Sequence, residues 1–300
     1  MPFGGVTIPA LRSAGFLLHM PVPEILLLND GTVWQDPGGP FGLVPRTLWE
    51  GELPPEAHAD TPMTLHAIVV RSQGKTVLVE TGLGTKLDEA ALAAWGLQRP
   101  EGTLLDQLAR QGVSPEDVDL VINTHLHADH CGGNTRIQNG RILPTFPRAE
   151  YLVQRLEWAW AAQPDERTRK TYLPANFQPL IQSGQMRLVN GDTQVTTSLR
   201  TVVTRGHTRG HQSVLVEGTR PVLFTGDMAS LAVHFERLNW LTAFDAEPLE
   251  TLATKRRWQA WAEANQAIVI CAHDHYRPVA CLTRSGTHLG LVPIPLPQSP

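Results

Sequence analysis

The sequence predicts an α/β domain in which two sheets pack face to face and helices cover their outer sides. Short apolar runs rich in β-branched residues recur along both halves of the chain, and each has the length of a buried strand. Each half closes with a helical stretch, at about Arg148 to Ala162 and Pro248 to Ala264. No linker, charge shift or short-period repeat divides the 300 residues, so one domain spanning 1–300 is the natural packing.

The first sixty residues are rich in Pro and Gly and carry one credible strand, Glu24–Leu28. They read as an N-terminal extension packed on the domain or on a partner subunit. Turn chemistry makes Trp34–Gly42 a loop, and Trp34, Phe41 and Trp49 read better as a cover for the core than as pocket lining. Strands follow at Thr64–Arg71 and Thr76–Glu80, joined by a turn at Gln73-Gly74, and Thr81–Gly84 turns at the strand end. Gly102–Gln111 is a helix with Gly112 past its end, and Ser114–Asp117 resembles a second helix start. Beyond the first helical closure, Pro164–Pro179 is polar and proline-punctuated, as a surface segment or lid would be. Strands are expected at Met186–Val189, Leu199–Thr204, Ser213–Val216 and Val222–Thr225. The apolar, irregular Met228–Glu247 suits a pocket wall. Strands at Ala267–Ala272 and Pro278–Leu282 precede a proline-rich tail.

Composition narrows the class of function. A net charge of −4 offers no footprint for a phosphate backbone, which argues against a nucleic-acid partner. Cys131, Cys271 and Cys281 are odd in number and lack CxxC spacing, which fits a reducing compartment. Gly15–Leu18 is too short for a signal core, and no run approaches the ~20 apolar residues that cross a bilayer. A soluble cytoplasmic protein without a membrane partner is the default, and a homodimer through the tryptophan-bearing N-terminal segment stays open.

The chemistry concentrates in His125-Leu126-His127-Ala128-Asp129-His130, directly after the strand Asp119–Ile122. Sites of open α/β sheets gather on loops leaving the C-terminal ends of strands. Imidazole and carboxylate are ligands for zinc and related divalent ions. His207, Asp227 and His273 each follow a later apolar run, so all can converge on one rim of the packed sheets.

These seven residues resemble the metallo-β-lactamase superfamily, whose pattern is HxHxDH, a distant His, an Asp and a last His. The resemblance runs from roughly Thr64 to Leu282 and implies the four-layer αβ/βα sandwich. It implies two divalent metal ions, zinc first, with Mn, Fe or Co also suited to the ligands. His125, His127 and His207 would hold one ion, Asp129, His130 and His273 the other, and Asp227 would bridge. The hydroxide the ions generate would attack a lactone or ester carbonyl of a small-molecule substrate, with Asp129 as the catalytic residue that passes a proton to the leaving alkoxide.

Phe41–Pro45 with Trp49, His207–Ser213, Gly226-Asp227-Met228 and the helix at Pro248 are similar to the quorum-quenching lactonase and methyl-parathion-hydrolase-like branch. That branch implies an N-acyl homoserine lactone or similar lactone as substrate, alongside arylesterase or phosphotriesterase activity. Two departures stand out. Glu80 occupies a place where the family usually has Asp, and Met228, Ala229, Ser230 and Leu231, directly after Asp227, include no Tyr. Glu80 and Asp274 are candidates to orient ligand rings, His211 is a candidate for the layer behind the ligands, and His234 for the pocket. A β-lactamase or a glyoxalase-II-like thioester hydrolase would share the chemistry. A nucleic-acid-processing enzyme would want a basic groove, and a structural zinc site would be closed and rich in cysteine.

Overall fold

A computed structural model describes residues 6–7, 23–286 and 288–295; Gly15–Leu18 and the end of the proline-rich tail lie outside them. Two seven-stranded sheets account for most of the strands. The first runs in the order Val6–Thr7, Glu24–Gln35, Thr61–Ser72, Lys75–Val79, Leu120–Ile122, Glu150–Gln154, Met186–Val189. Its first four strands pair antiparallel and the rest parallel. The second runs Thr193–Thr196, Leu199–Val203, Gln212–Val216, Val222–Phe224, Ile268–Ile270, Val279–Ser285, His288–Pro293. Within it, Val222–Phe224 and Ile268–Ile270 are parallel neighbours.

Period-two alternation of side chains sorts each strand between two faces. Val77, Val79, Leu120 and Ile122 point to the inner core, where they meet Val214, Val222, Phe224, Ile268 and Ile270 of the other sheet. Leu78 and Val121 point outward beneath Leu104 and Leu108 of the helix Leu104–Arg110. On the far side Leu223 and Val269 pack against Trp258 and Ala262 of the helix Pro248–Ala264. The layers are therefore helix, sheet, sheet, helix, the αβ/βα sandwich.

Several expectations need correction. The stretch expected as one helix from Arg148 to Ala162 divides into the strand Glu150–Gln154 and the helix Arg155–Ala162. Tyr151 to Gln154 are all buried in a strand with parallel neighbours on both sides, and such a strand leaves no alternation to read. Trp34 and Gln35 end a twelve-residue strand instead of opening a loop, and Gly38–Phe41 is a helical turn. The strand Glu24–Gln35 pairs along Thr61–Ser72, so this part of the N-terminal extension is built into the first sheet. Ser114–Asp117 forms a single 3₁₀ turn, Pro115–Asp117. The tail holds an unexpected strand, His288–Pro293.

Phe41 and Trp49 cover the core, as their aromatic area suggested. Their rings stack at 4.9 Å, and Trp240 meets Phe41 edge-on at 6.1 Å. Most of the apolar stretch after Asp227 is likewise core: Met228 and Phe235 pack under the helix Pro248–Ala264, and Leu231 and Val233 under Phe41. Among the described residues, no helix is long and apolar enough to cross a membrane.

Candidate metal centre

The strands Lys75–Val79 and Leu120–Ile122 are parallel neighbours, so the loops leaving them emerge side by side. Glu80 leaves the first in a left-handed backbone, φ 65°, a conformation that costs a non-glycine residue energy and clusters at functional sites. Its Oε1 accepts the Thr124 N–H at 3.0 Å and lies 3.4 Å from His130 Nδ1. The longer carboxylate in place of the usual Asp thus touches both the loop backbone and a candidate ligand. The loop from the second strand is fixed by the neighbouring sheet: Gln212 donates from its backbone N–H to Thr124 O and from Nε2 to Asn123 O.

His125, His127 and His207 form one convergent set. His125 Nε2 lies 3.0 Å from His127 Nδ1, and His207 Nε2 lies 3.2 Å from the same atom. Asp129, His130 and His273 form another, with His130 Nε2 and His273 Nε2 3.1 Å apart. Asp129 Oδ2 sits 3.6 and 3.7 Å from those two nitrogens. Asp227 reaches both sets: its Oδ2 is 3.3 Å from His207 Nε2 and 3.4 Å from His130 Nε2, and its Oδ1 is 3.1 Å from His273 Nε2.

The far sides of three of the rings are anchored, while the outer Nε2 of His127 is buried without a partner. His125 Nδ1 pairs with Thr124 Oγ1 at 3.0 Å, His207 Nδ1 with Asp245 Oδ1 at 3.1 Å, and His273 Nδ1 with the Thr64 carbonyl at 3.1 Å. Protons on those outer nitrogens leave the inner lone pairs free for a cation. Three ring nitrogens facing one point cannot satisfy one another, because a single proton fits between any two of them. Asp227 Oδ1 is buried and makes no hydrogen bond despite its closeness to His273. Buried lone pairs without donors are what divalent ions satisfy, so the residues fit two such ions.

Electrostatics agree. Burial, with the neighbouring imidazoles His130, His127 and His207, holds His125 well below its usual value, and burial with His207 and His130 does the same to His127. Burial also works against charge on His130 and His207. At His130 it is outweighed by Asp129, Asp227 and Glu80, and at His207 by Asp227 and Asp245, so both are raised. Burial would raise Asp227, but the imidazoles of His273, His130 and His207 hold it well below the carboxylate range. The pocket is built to hold positive charge.

Among the other expected residues, His211 stands directly behind the candidate ligand Asp227. Its Nε2 accepts the Asp227 N–H at 3.0 Å while Nδ1 donates to the Thr204 carbonyl at 3.0 Å, and burial pushes it down to about 3. Asp274 is a correction to the pairing with ligand rings: its carboxylate instead accepts the backbone N–H groups of Ala232, Tyr276 and Arg277 and shapes the turn after His273. His234 is buried edge-on to Phe41 at 5.9 Å, with Nδ1 accepting the Leu231 N–H at 3.3 Å.

Three residues of the site escaped the sequence reading. Asp245 lies in a stretch read as apolar wall, Glu157 in a stretch read only as helix, and Tyr172 in a segment read as surface or lid. Tyr172 packs its ring 4.8 Å from His127. Only the Gly-rich turn Thr204–Gly210 and the helix start at Pro248 hinted that His207 needed fixed neighbours. Ala246 and Glu247, just ahead of that helix, donate backbone N–H groups to the carbonyls of His207 and Gly206.

A site of His and Asp ligands at the strand ends of an αβ/βα sandwich defines a class of metal-dependent hydrolases. The family model described as "Metallo-beta-lactamase superfamily" matches residues 61–273, and the chain belongs to that superfamily. Over 234 residues it is 28% identical to the N-acyl homoserine lactonase AttM of Rhizobium radiobacter, covering 72% of this chain and 84% of the relative. Over 254 residues it is 29% identical to an N-acyl homoserine lactonase of Bacillus sp., covering 79% and 89%. A probable metal-dependent hydrolase from Staphylococcus aureus has a similar fold, with TM-score 0.82 and 24% identity over 92% of this chain and 99% of that one. So does AidC, described as a dizinc quorum-quenching lactonase, at TM-score 0.76 and 18% identity over 98% and 99%.

Proposed function

We propose that this chain is a dinuclear metallohydrolase that opens the ring of an N-acyl homoserine lactone or a closely related lactone. Asp227 carries the proposal: one carboxylate lies within 3.4 Å of a histidine from each ligand set, as a group shared by two ions would. The chain's relatives named N-acyl homoserine lactonases supply the substrate class. Zinc is the first choice for these borderline nitrogen and oxygen ligands.

Bound divalent ions would lower the pKa of water toward neutrality and polarise the substrate carbonyl. His125, His127 and His207 would hold one ion, Asp129, His130 and His273 the other, and Asp227 both. Asp129 is the ligand most open to solvent, with its side chain 16% exposed against 7% for Asp227. Its Oδ2 is therefore the group placed to take up a proton and return it to the departing alkoxide. His211 keeps Asp227 in register, and Glu80 does so for His130 and the Thr124 backbone. The unpaired thiols of Cys131, Cys271 and Cys281 suit a cytoplasmic setting.

The residues after Asp227 favour keeping a second reading in the test. Met228, Ala229, Ser230 and Leu231 are all buried and none is a Tyr, so lactonase chemistry that needs a phenol there has no donor at these positions. The purified, metal-loaded chain should be assayed on an N-acyl homoserine lactone, an aryl ester, a phosphotriester and a β-lactam. The proposal predicts the highest kcat/KM on the lactone. Preference for the phosphotriester or aryl ester moves the chain to the esterase reading, and preference for the β-lactam overturns the lactonase assignment.

A further inference from the structure

We infer that Glu157 is a positioning residue that holds the loop of His125 and His127 against the loop of His207, and so sets the spacing of the first ligand triad. The inference rests on the metal-hydrolase reading above and goes beyond it by adding a residue outside the ligand pattern.

Glu157 lies in the first turn of the helix Arg155–Ala162 and is fully buried. Its Oε1 accepts the Leu126 N–H at 2.9 Å and the Tyr172 hydroxyl at 2.9 Å. Its Oε2 accepts the Thr208 hydroxyl at 2.6 Å. Leu126 stands between His125 and His127, Thr208 directly follows His207, and Tyr172 lies ring to ring with His127. One side chain therefore reaches the flanks of all three ligands. Leu126 belongs to the half of the chain that builds the first sheet and Thr208 to the half that builds the second. The carboxylate joins those halves at the place where their ligands must meet.

Two further observations exclude a chance arrangement. Gly210 packs on the Glu157 backbone so closely that a Cβ there would collide with the Glu157 backbone nitrogen, so the His207 loop lies directly on this helix. All three hydrogen-bond donors to Glu157 are neutral, and the imidazole of His207, one of the candidate ligands, acts on it through space. A buried carboxylate held by neutral donors costs free energy that an apolar residue would not. The three hydrogen bonds that offset this cost all run to groups beside the candidate ligands. Glu157 does not touch the reacting centre; it acts through Leu126, Tyr172 and Thr208.

The test uses the full-length chain and reads zinc binding by chelator competition, with cobalt(II) absorption as a signature of ligand geometry. Glu157→Gln keeps the size of the side chain but turns one acceptor into a donor. Thr208→Val removes only the link to the His207 loop and leaves the Leu126 and Tyr172 bonds. The wild-type chain should bind two ions. Both variants should weaken one ion by roughly 10–100-fold, the range for partners behind metal ligands, and leave the other unchanged. Metal-free Thr208→Val should melt below the wild type, because buried Glu157 Oε2 loses its donor, but should still unfold cooperatively, so it decides alone if Glu157→Gln fails to fold. Wild-type affinity for both ions in Thr208→Val overturns the inference, and so does equal weakening of both ions, which is a general packing defect. A wild-type chain that binds no divalent ion overturns the functional reading instead.

Discussion

Asp245 Oδ1 lies 3.1 Å from His207 Nδ1, while the other oxygen of the same carboxylate accepts the Thr242 N–H at 3.2 Å. Asp245, near the end of the apolar segment Met228–Glu247, thus fixes the ring of the one candidate ligand in the first set that comes from the second sheet. A carboxylate behind a ligating imidazole sets its tautomer and raises its basicity. Asp245→Ala should lower zinc affinity and turnover by about 10–100-fold, and Asp245→Asn, which keeps an acceptor, by less. Chelator competition on both variants checks the order.

Gly226 precedes Asp227 with φ 54°, and a Cβ there would stand 2.7 Å from His211 Nε2 and 2.8 Å from Thr124 Cγ2. Neither neighbour can yield without moving a group that holds a ligand. Gly226→Ala should therefore destabilise the fold by roughly 1–3 kcal/mol and depress activity beyond that loss. Thermal melting beside kcat separates the two effects.

Glu80 provides an acceptor for the buried Thr124 N–H and a partner for His130. Glu80→Ala leaves that N–H unsatisfied and should cost about 1–3 kcal/mol of stability. The ion held by Asp129, His130 and His273 should also weaken, while the other is spared. Calorimetric titration of the variant with zinc reads both effects.

Acid stability follows from three buried rings. Burial pushes His66 down to about 4, and His211 and His234 down to about 3. Their unfolded value is about 6.5, so the stability they hold is complete above about pH 6.5 and lost as pH falls, by about 1.4 kcal/mol per unit for each ring. The melting temperature of the metal-free chain should drop steadily from about pH 6.5 toward 4. A plateau down to the carboxylate range contradicts the neutral assignment.

His130 and His207 are shifted the other way. Their contribution to the metal-free fold is present below the unfolded value and is lost as pH rises through the raised one. A cation must displace those protons, so metal affinity should climb with pH and binding should release protons. Titrations in buffers of different ionisation enthalpy count them.

What could be read in the sequence was whatever repeats or clusters. Runs such as Leu199 to Thr204 and Val222 to Thr225 announced strands because β-branched residues fill a pleated interior. The seven ligand candidates were visible because each follows such a run. Glu150–Gln154 was hidden because a strand buried on both faces has no alternation, and the helix after it extended the apolar stretch. The hairpin Thr135–Gln138 with Arg141–Pro144 carried a readable sign, Asn139-Gly140, both of which adopt positive φ. Glu157, Tyr172 and Asp245 carried none. Their partners lie 31 and 51, 15, and 38 residues away, and only the folded chain brings those atoms together.

The central claim is that this chain presents two ligand sets sharing Asp227. Metal analysis of the purified chain and of His207→Ala tests it most directly. The account predicts two divalent ions per wild-type chain and one in His207→Ala, with hydrolysis lost in the variant and restored by no added metal. One ion or none in the wild type after loading with zinc, manganese or cobalt would contradict it, as would two tightly held ions in His207→Ala.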